Sequence, residues 1–214
     1  MKFNSDSLLL YAVTDRGWVG RQTLCEQIED ALKGGATCIQ LREKELDEAA
    51  FLAEAQEVKA LCRRYGVPFI VNDNVELALA CGADGVHVGA EDLPVAEVRR
   101  RVGPDFIIGA TAKTVEQARW AQAGGADYLG VGAIFPSPTK RNALRVTREQ
   151  LKTICASVDI PAVAIGGIDA QNIDQLAGCG IRGVAVVSAL FAAHDIAAAA
   201  AQLKQKALSV TTQA

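Results

Sequence analysis

The stretch GGATCIQL, residues 34–41, predicts how this chain folds. Two glycines end a helical pattern and lead into a short apolar segment that is typical of a buried strand. The same kind of turn recurs three times along the chain, before three further apolar segments: Cys81–Asp84, Gly124–Asp127 and Cys179–Arg182. The recurrence indicates repeated strand–helix units, in which each glycine ends a helix and turns the chain into the next strand.

Eight apolar segments of strand length alternate with helical patterns from one end of the chain to the other. We predict strands at Leu9–Val13, Thr37–Leu41, Phe69–Asn72, Gly85–Val88, Phe106–Gly109, Tyr128–Gly132, Ala162–Ile165 and Gly183–Val187. Eight strands followed by eight helices favour a closed barrel over an open, doubly wound sheet. The fold class is therefore α/β, and residues 1–214 are expected to form a single (β/α)₈ TIM barrel domain, since no linker divides them.

Two of the helical patterns carry recognisable ends. A helix over Asp47–Tyr65 is expected to stop at Gly66, because Pro68 cannot continue it. A second helix, Thr114–Gly124, opens with Thr114 as N-cap and Gln117 as its expected capping-box partner.

Composition restricts the class of protein. Half of the 214 residues are hydrophobic, and the net charge is only −3, which argues against nucleic acid or an anionic membrane as the main partner. We find neither a signal peptide nor a long apolar run, so a soluble, cytoplasmic protein is expected. The six cysteines form no Cys-x-x-Cys pair and are best interpreted as small buried hydrophobic residues.

The segment after the second strand carries unusual charge. Side chains alternate along a strand, so Ile39 and Leu41 are expected on one face. The other face is expected to carry Gln40, Arg42 and Lys44. In such barrels the polar residues that follow a strand belong to the active face. The two cations therefore suggest an anion site at the barrel mouth, although a solvated turn, with the cations paired to neighbouring glutamates, would have the same sequence.

Two different phosphate sites are suggested by the strand ends. After strands 7 and 8, Gly166 and Gly167 together with Ser188 offer backbone N–H groups to a phosphate monoester, unless they form only an ordinary glycine turn. The second site combines cations with two carboxylates, Asp73 and Asp92. That combination suits a diphosphate that chelates Mg²⁺. The two aspartates could instead be helix N-caps or salt-bridge partners.

Four motifs of the chain are distinctive: QLREK (40–44), ND (72–73), GVHVG with EDLP (85–94) and GVGAIFPSPTK (130–140). In these motifs most specifically, and over nearly its whole length, the chain resembles the thiamine phosphate synthase family. The family joins a pyrimidine that carries a CH₂-diphosphate to a thiazole that carries an ethyl phosphate. The resemblance therefore implies one diphosphate site with Mg²⁺ and one monophosphate site.

The resemblance also implies a role for each matching residue. Mg²⁺ would be held by Asp73 and Asp92. The pyrimidine diphosphate would be bound by Gln40, Leu41, Arg42, Glu43, Lys44, Asn72, Thr111 and Lys140, of which Arg42, Lys44 and Lys140 would be catalytic. The thiazole phosphate would be bound by Ser137, Pro138, Thr139, Gly167, Val187 and Ser188. Thr111 stands where the family usually has Ser, which keeps the hydroxyl.

The implied reaction is dissociative, with diphosphate leaving before the thiazole nitrogen attacks, and CO₂ is lost when the thiazole is carboxylated. Three alternatives remain: a thiazole tautomerase-like isomerase, another phosphate-binding barrel such as a sugar-phosphate isomerase, and a non-catalytic sensor of thiazole or thiamine phosphates. His87, on strand 4, is compatible with either a buried barrel histidine or a catalytic one. The partners are small molecules, and a homo-oligomer is possible.

Overall fold

The chain closes into a barrel of eight parallel strands, seen in a computed structural model that describes residues 3–20, 22–137 and 144–212. The strands are β1 Leu10–Val13, β2 Cys38–Leu41, β3 Phe69–Asn72, β4 Gly85–Val88, β5 Ile107–Ala112, β6 Tyr128–Gly132, β7 Ala162–Ile165 and β8 Gly183–Val186. Their spatial order follows the chain order, and β1 pairs with β8 to close the ring. The predicted (β/α)₈ barrel is confirmed.

Helices follow the strands on the outside of the barrel. They are α1 Leu24–Lys33, α2 Glu48–Tyr65, α3 Val75–Ala80, α4 Val95–Val102, α5 Val115–Ala123, α6 Arg148–Cys155, α7 Ser188–Phe191 and α8 Ile196–Thr211. Short 3₁₀ turns lie at Ser5–Leu8, Arg16–Trp18 and Ile173–Leu176. The connection from β7 to β8 therefore contains a 3₁₀ turn where a regular seventh strand–helix unit would place an α-helix, and two helices follow β8.

The helix ends agree with the sequence except in one detail. Asp47 caps α2, and Gly66 ends it with a left-handed φ of 66°. Thr114 caps α5 by accepting from the Gln117 N–H. The predicted capping box is incomplete, however, because the Gln117 side chain accepts from the Lys113 N–H and not from that of Thr114.

The alternation of side chains along the strands divides the core into two layers. Ile39 and Leu41 face outward and pack under the helices, whereas Cys38 faces inward. The interior of the barrel is filled by a smaller cluster that includes Tyr11 and Tyr128. This filled interior leaves the two ends of the barrel as the places where polar side chains can gather.

Candidate functional site

The site predicted from the sequence lies at the carboxyl ends of the strands. Because all eight strands are parallel, their carboxyl ends meet at one end of the barrel. We call this end the barrel mouth. The predicted residues that the structure describes there are Gln40, Leu41, Arg42, Glu43, Lys44, Asn72, Asp73, Asp92, Thr111, Ser137, Gly167, Val187 and Ser188. The remaining three, Pro138, Thr139 and Lys140, lie outside the described residues.

Arg42 is held at the mouth by the end of the neighbouring strand β1. Its Nη1 donates to Asp15 Oδ2 over 2.8 Å, and its backbone N–H donates to Thr14 Oγ1 over 3.0 Å. Thr14 is fully buried, so this backbone anchor is shielded from water. The guanidinium is therefore oriented while the side chain stays about a fifth exposed, which leaves other donors available to an anion.

Glu43 shapes the loop that follows β2. Its side chain is 1% exposed, and its Oε1 accepts from the backbone N–H groups of Lys44 and Glu45 over 2.7 and 2.6 Å. Its Oε2 accepts from Arg16 Nε over 2.5 Å. Burial opposes ionisation of Glu43, but these backbone and Arg16 bonds outweigh it and lower its pKa. The carboxylate is thus occupied by the protein's own donors.

Two members of the predicted diphosphate set are therefore turned away from a ligand. The Leu41 side chain is completely buried in the outer core. The Glu43 carboxylate is enclosed by Arg16 and the loop backbone. Either residue would reach a bound molecule through its backbone atoms.

Asp73 lies on a tight turn between β3 and α3. Its φ is +62°, in the left-handed region, and the Asn74 N–H closes the turn onto the Asn72 carbonyl over 2.7 Å. The Asp73 N–H donates to the His87 carbonyl over 2.8 Å, which ties the turn to β4. Uncommon backbone geometry of this kind is concentrated at functional sites.

The Asp73 carboxylate faces the loop after β2. Lys44 Nζ donates to Asp73 Oδ2 over 2.7 Å. The N-cap of α3 is the next residue, Asn74, whose side chain accepts from the Leu77 N–H. Of the open alternatives for Asp73, the helix cap is therefore wrong, and the salt bridge is present.

Asp92 adjoins Asp73 from the loop after β4. Its Oδ2 accepts from the Gly89 N–H over 2.7 Å, while α4 begins at Pro94 without a side-chain cap, so the interpretation of Asp92 as a helix cap is wrong. Desolvation and the Asp73 carboxylate raise the pKa of Asp92, against the Gly89 bond. Burial alone would raise the pKa of Asp73, but Lys44 and its other hydrogen-bond partners lower it.

These two carboxylates fit a divalent cation with oxygen ligands. Each is negatively charged beside the other, and a bound cation would relieve that repulsion as Lys44 does in part. No cluster of three or more His, Cys, Asp or Glu side chains suited to a metal occurs within the described ranges. A pair of carboxylates that leaves other positions to substrate oxygens suits Mg²⁺ better than a structural zinc.

Gln40 and Thr111 approach the mouth from inside the barrel. Gln40 Nε2 donates to the Tyr11 hydroxyl over 2.8 Å, and Thr111 Oγ1 lies 3.1 Å from His87 Nε2. Gln40 is buried, whereas Thr111 and His87 are half-buried. Both predicted residues are thus fixed by partners within the barrel.

The second predicted phosphate site joins three strand ends. Gly167 has a φ of +64°, and a Cβ there would lie 2.2 Å from the Pro136 carbonyl oxygen, so only glycine allows this approach of the loops after β6 and β7. The Gly167 carbonyl accepts from Asn172 Nδ2 over 2.8 Å. Ser137 and Ser188 are half-buried, and Ser188 begins α7, where the first N–H groups of a helix have no partner inside it.

Some residues that shape the site were missed by the sequence analysis. Arg16 joins Glu43 to Glu54 Oε1, the latter over 2.6 Å, and Tyr11 and Tyr128 carry the polar contacts of the barrel interior. The tyrosines could have been found from their inward-facing strand positions. Nothing in the sequence points to the partners of Arg16.

Most of the cysteines match their interpretation as small buried hydrophobic residues. All six cysteines are free, and four of them are buried. Among the described residues, none of the helices combines the length and apolar character that crossing a membrane would take.

Comparison with known proteins identifies the family of this chain. A family model described as thiamine monophosphate synthase (TMP-TENI) matches residues 10–190, which is most of the chain. The chain belongs to this family. The predicted resemblance of the chain to this family is thereby confirmed.

Individual relatives of the thiamine monophosphate synthase family agree with this assignment. A thiamine-phosphate synthase from Ruminiclostridium cellulolyticum is 50% identical over 194 residues, covering 91% of this chain and 92% of the relative. Thiamine-phosphate synthase 2 from Streptococcus pneumoniae is 47% identical, covering 91% and 93%. A solved thiamine phosphate pyrophosphorylase from Pyrococcus furiosus superposes with a TM-score of 0.89 at 38% identity, covering 96% of this chain and 98% of that one.

Proposed function

We propose that this chain is a transferase that joins 4-amino-2-methyl-5-(diphosphooxymethyl)pyrimidine to a thiazole ethyl phosphate, with loss of diphosphate, to give thiamine phosphate. Family membership supports the overall reaction, thiamine phosphate synthesis by an enzyme acting on small molecules. The single observation that supports the choice of substrates is the contact of Lys44 with Asp73 beside Asp92, which puts a cation and two carboxylates at one mouth.

The residues at this mouth suit a leaving diphosphate. Arg42 is oriented by Asp15 and presents further N–H donors, which can bind phosphate oxygens in a bidentate way. Lys44 can move from Asp73 to the leaving group, since its side chain is about half exposed. Mg²⁺, which we propose is held by Asp73 and Asp92, would neutralise part of the charge that develops as the carbon–oxygen bond breaks.

The thiazole phosphate is proposed to bind at the loops after β6, β7 and β8. Gly167, the start of α7 and the hydroxyls of Ser137 and Ser188 offer neutral donors, which suit a phosphate monoester that must stay bound during the reaction. Lys140, Pro138 and Thr139 belong to the same proposal through the family resemblance alone. The separation into one charged and one neutral site would hold the two substrates in a fixed relative position.

The proposed mechanism needs no general base. The attacking thiazole nitrogen has a lone pair and no proton to lose, so catalysis consists of stabilising the leaving group and orienting the nucleophile. The diphosphate takes the electron pair of its bond to the CH₂ group, and the nitrogen lone pair then forms the new carbon–nitrogen bond. When the thiazole carries a carboxyl group, loss of CO₂ leaves the electron pair of the broken bond on the ring carbon, and that carbon takes up a proton from water to complete the product.

Three further properties are proposed with this function. Free thiols at all six cysteines support a reducing, cytoplasmic location. The closed ring from β1 to β8 supports one domain for the whole chain. Contact between copies stays a prediction from the sequence, which size-exclusion chromatography with light scattering would test. Trp120→Ser is the comparison variant, because Trp120 is 73% exposed on α5.

The experiment that tests the function is release of diphosphate from the pyrimidine substrate. It is measured with and without the thiazole phosphate, and with Mg²⁺ or a chelator. Release that needs Mg²⁺ and is matched by thiamine phosphate is the expected result. The variant Asp105→Asn is the matched control for charge, because Asp105 is exposed and precedes β5 at the opposite end of the barrel.

Each other outcome would assign a different function to this chain. Isomerisation of the thiazole phosphate without diphosphate release would replace the proposal with a tautomerase-like activity. Binding of thiazole or thiamine phosphate without any turnover would replace it with a sensor. Turnover of a sugar phosphate would assign the chain to another class of phosphate-binding barrel.

A further inference from the structure

A chain of hydrogen bonds crosses the interior of the barrel below the mouth. The Tyr11 and Tyr128 hydroxyls lie 2.7 Å apart, and both residues are 1% exposed. At one end the chain begins with Gln40 Nε2, which donates to Tyr11. At the other end Tyr128 Oη lies 3.1 Å from His87 Nδ1, and His87 Nε2 lies 3.1 Å from Thr111 Oγ1. The chain therefore links two side chains that reach the mouth from different strands.

Glycines on neighbouring strands make room for these rings. A Cβ on Gly109 would lie 2.2 Å from Tyr128 Cζ and 2.4 Å from His87 Nδ1. A Cβ on Gly130 would lie 3.0 Å from His87 Cε1. Gly109 is also in register with both His87 and Tyr128, so the two rings meet over it. The backbone thus holds the imidazole between the Tyr128 hydroxyl and the Thr111 hydroxyl.

The hydroxyl groups in this series of hydrogen bonds donate in a preferred direction, from Tyr11 toward His87. Both tyrosines keep their hydrogens, since burial raises the pKa of Tyr11 and of Tyr128 well above the usual range. Each hydroxyl has one hydrogen to give, and Tyr11 already accepts from the Gln40 amide. If Tyr11 donates to Tyr128, then Tyr128 donates to His87 Nδ1, and the imidazole hydrogen lies on Nε2.

The opposite direction satisfies the same groups less well. Tyr11 would then accept from both Gln40 and Tyr128, and its own hydrogen would be left to the thiol of Cys38, a weak acceptor beside it. A buried donor without a good acceptor is costly. The first direction pairs every buried hydrogen of the chain with an oxygen or nitrogen and is favoured for that reason.

We propose that His87 and Tyr128 are positioning residues, which hold the imidazole as the Nε2–H tautomer so that the Thr111 hydroxyl accepts from His87 and gives its own hydrogen to an anionic oxygen at the mouth. Thr111 lies two residues beyond Gly109 toward the carboxyl end of β5 and is half-buried there. Only the nature of that anion, a diphosphate, rests on the proposed function. Neither His87 nor Tyr128 needs to touch the substrate.

Nuclear magnetic resonance of the unaltered protein tests the tautomer directly. The chain has two histidines, so ¹⁵N-histidine labelling yields two imidazoles, and His194 supplies the comparison. Near neutral pH the His87 ring is expected to carry hydrogen on Nε2 and none on Nδ1. A hydrogen on Nδ1 alone, or on both nitrogens, would overturn the proposal. This readout needs no variant and no turnover.

A double-mutant cycle tests whether Tyr128 acts through Thr111. The probe is binding of inorganic diphosphate with Mg²⁺, measured by calorimetry. Tyr128→Phe keeps the ring but removes the donor to His87, so affinity is expected to fall about threefold to tenfold. In the Thr111→Val protein the same Tyr128→Phe change is expected to cause no further loss. Tyr65→Phe, at an exposed tyrosine, is the matched control and should leave affinity unchanged.

Two results separate this inference from the proposed function. If Tyr128→Phe lowered the affinity for diphosphate equally in the wild-type protein and in the Thr111→Val protein, Tyr128 would act only through the general structure. The inference would then fall. If the tautomer and the cycle come out as expected while the pyrimidine substrate releases no diphosphate, the inference stands and the proposed reaction falls.

Discussion

Lys44 Nζ donates to Asp73 Oδ2 over 2.7 Å, so a cation of the protein occupies one of the two carboxylates that we propose for Mg²⁺. The two residues come from the loops after the neighbouring strands β2 and β3. The side chain of Lys44 is about half exposed, which makes this contact replaceable. Under the proposed function, Lys44 and Mg²⁺ would therefore compete for Asp73 until a bound diphosphate contacts both.

Removal of this competitor is expected to strengthen the binding of Mg²⁺ alone. Lys44→Met should increase the affinity for Mg²⁺ without substrate by about two- to fivefold, the range of an exposed ion pair, yet weaken binding of Mg²⁺ with inorganic diphosphate. Calorimetry measures both. Lys33→Met is the control, because Lys33 pairs with Asp30 on α1, and weaker binding of Mg²⁺ alone to Lys44→Met would contradict the competition.

Loss of the Asp73 charge is expected to change the metal requirement of the enzyme. With Asp73→Asn, the Mg²⁺ concentration for half-maximal turnover should rise by about tenfold or more, because one of the two anionic oxygen ligands that we propose would be lost. Steady-state rates over a Mg²⁺ titration measure this. Asp105→Asn should keep the original dependence, and a normal dependence in Asp73→Asn would remove Asp73 from the metal site.

Glu43 is expected to stabilise the fold in a pH-dependent way. Because the pKa of Glu43 is lowered, its ionised carboxylate stabilises the fold fully at pH values above the ordinary pKa of 4.5. This stabilisation is lost as the pH falls through the lowered pKa. Glu43→Gln should reduce the free energy of unfolding at neutral pH by about 1–3 kcal/mol, since Arg16 and the loop lose a buried charged acceptor.

Urea unfolding at several pH values measures this difference. The gap between the two proteins should stay constant above the ordinary pKa of Glu43 and narrow below it. Glu45→Gln in the same loop is the control, because Glu45 is exposed and should change stability little. A gap that widened in acid would show that the sign of the Glu43 contribution is wrong.

The contact between the loops after β6 and β7 is expected to affect binding of the thiazole phosphate. Gly167→Ala would place a Cβ 2.2 Å from the Pro136 carbonyl oxygen and so disrupt that contact. The KM for the thiazole phosphate should rise several-fold, while the KM for the pyrimidine diphosphate stays nearly constant.

Gly178→Ala is a matched control for backbone strain. Gly178 has a φ of +72°, close to that of Gly167, but no atom lies within 4 Å of an added Cβ. This variant should lose about 1 kcal/mol of stability and keep the KM for the thiazole phosphate. A similar rise of KM in both variants would attribute the effect to stability rather than to the contact between the loops.

The strands could be predicted from the sequence because buried parallel strands appear as short apolar runs. Phe69–Asn72, Gly85–Val88, Tyr128–Gly132 and Ala162–Ile165 have the predicted bounds. β5 was predicted too short, since it continues to Ala112 through small residues that pair with β6. Pairing with a neighbour, which a single segment does not reveal, overrides the weak strand preference of these residues.

The connection after β7 departs from the regular pattern for a local reason. The Asp169 carboxylate accepts from the N–H groups of Gln171 and Asn172 over 2.8 and 3.0 Å. These bonds start a helical turn, as the Asp47 bond does for α2, but Ala177 has an extended backbone, with a ψ of 136°, and an α-helix cannot continue through it. The chain forms a 3₁₀ turn over Ile173–Leu176 instead.

For the site, the topology places residues of different strands together, but their pairing requires the structure. The barrel order predicts that Lys44, Asp73 and Asp92 share the mouth, because strand ends of one barrel converge. That Glu43 turns inward to Arg16, while Arg42 turns to Asp15, depends on loop conformations between distant segments. Sequence patterns do not predict which side chains from distant segments pair with one another.

The left-handed backbone of Asp73 has a consequence for engineering. Among the described residues, Asp73 is the only non-glycine residue with a positive φ. Glycine adopts this conformation more readily, so Asp73→Gly is expected to raise the free energy of unfolding by about 1 kcal/mol while it deletes a carboxylate of the proposed metal site. A library screened only for resistance to heat would favour that replacement, and its most durable members would lack one of the two carboxylates proposed for Mg²⁺.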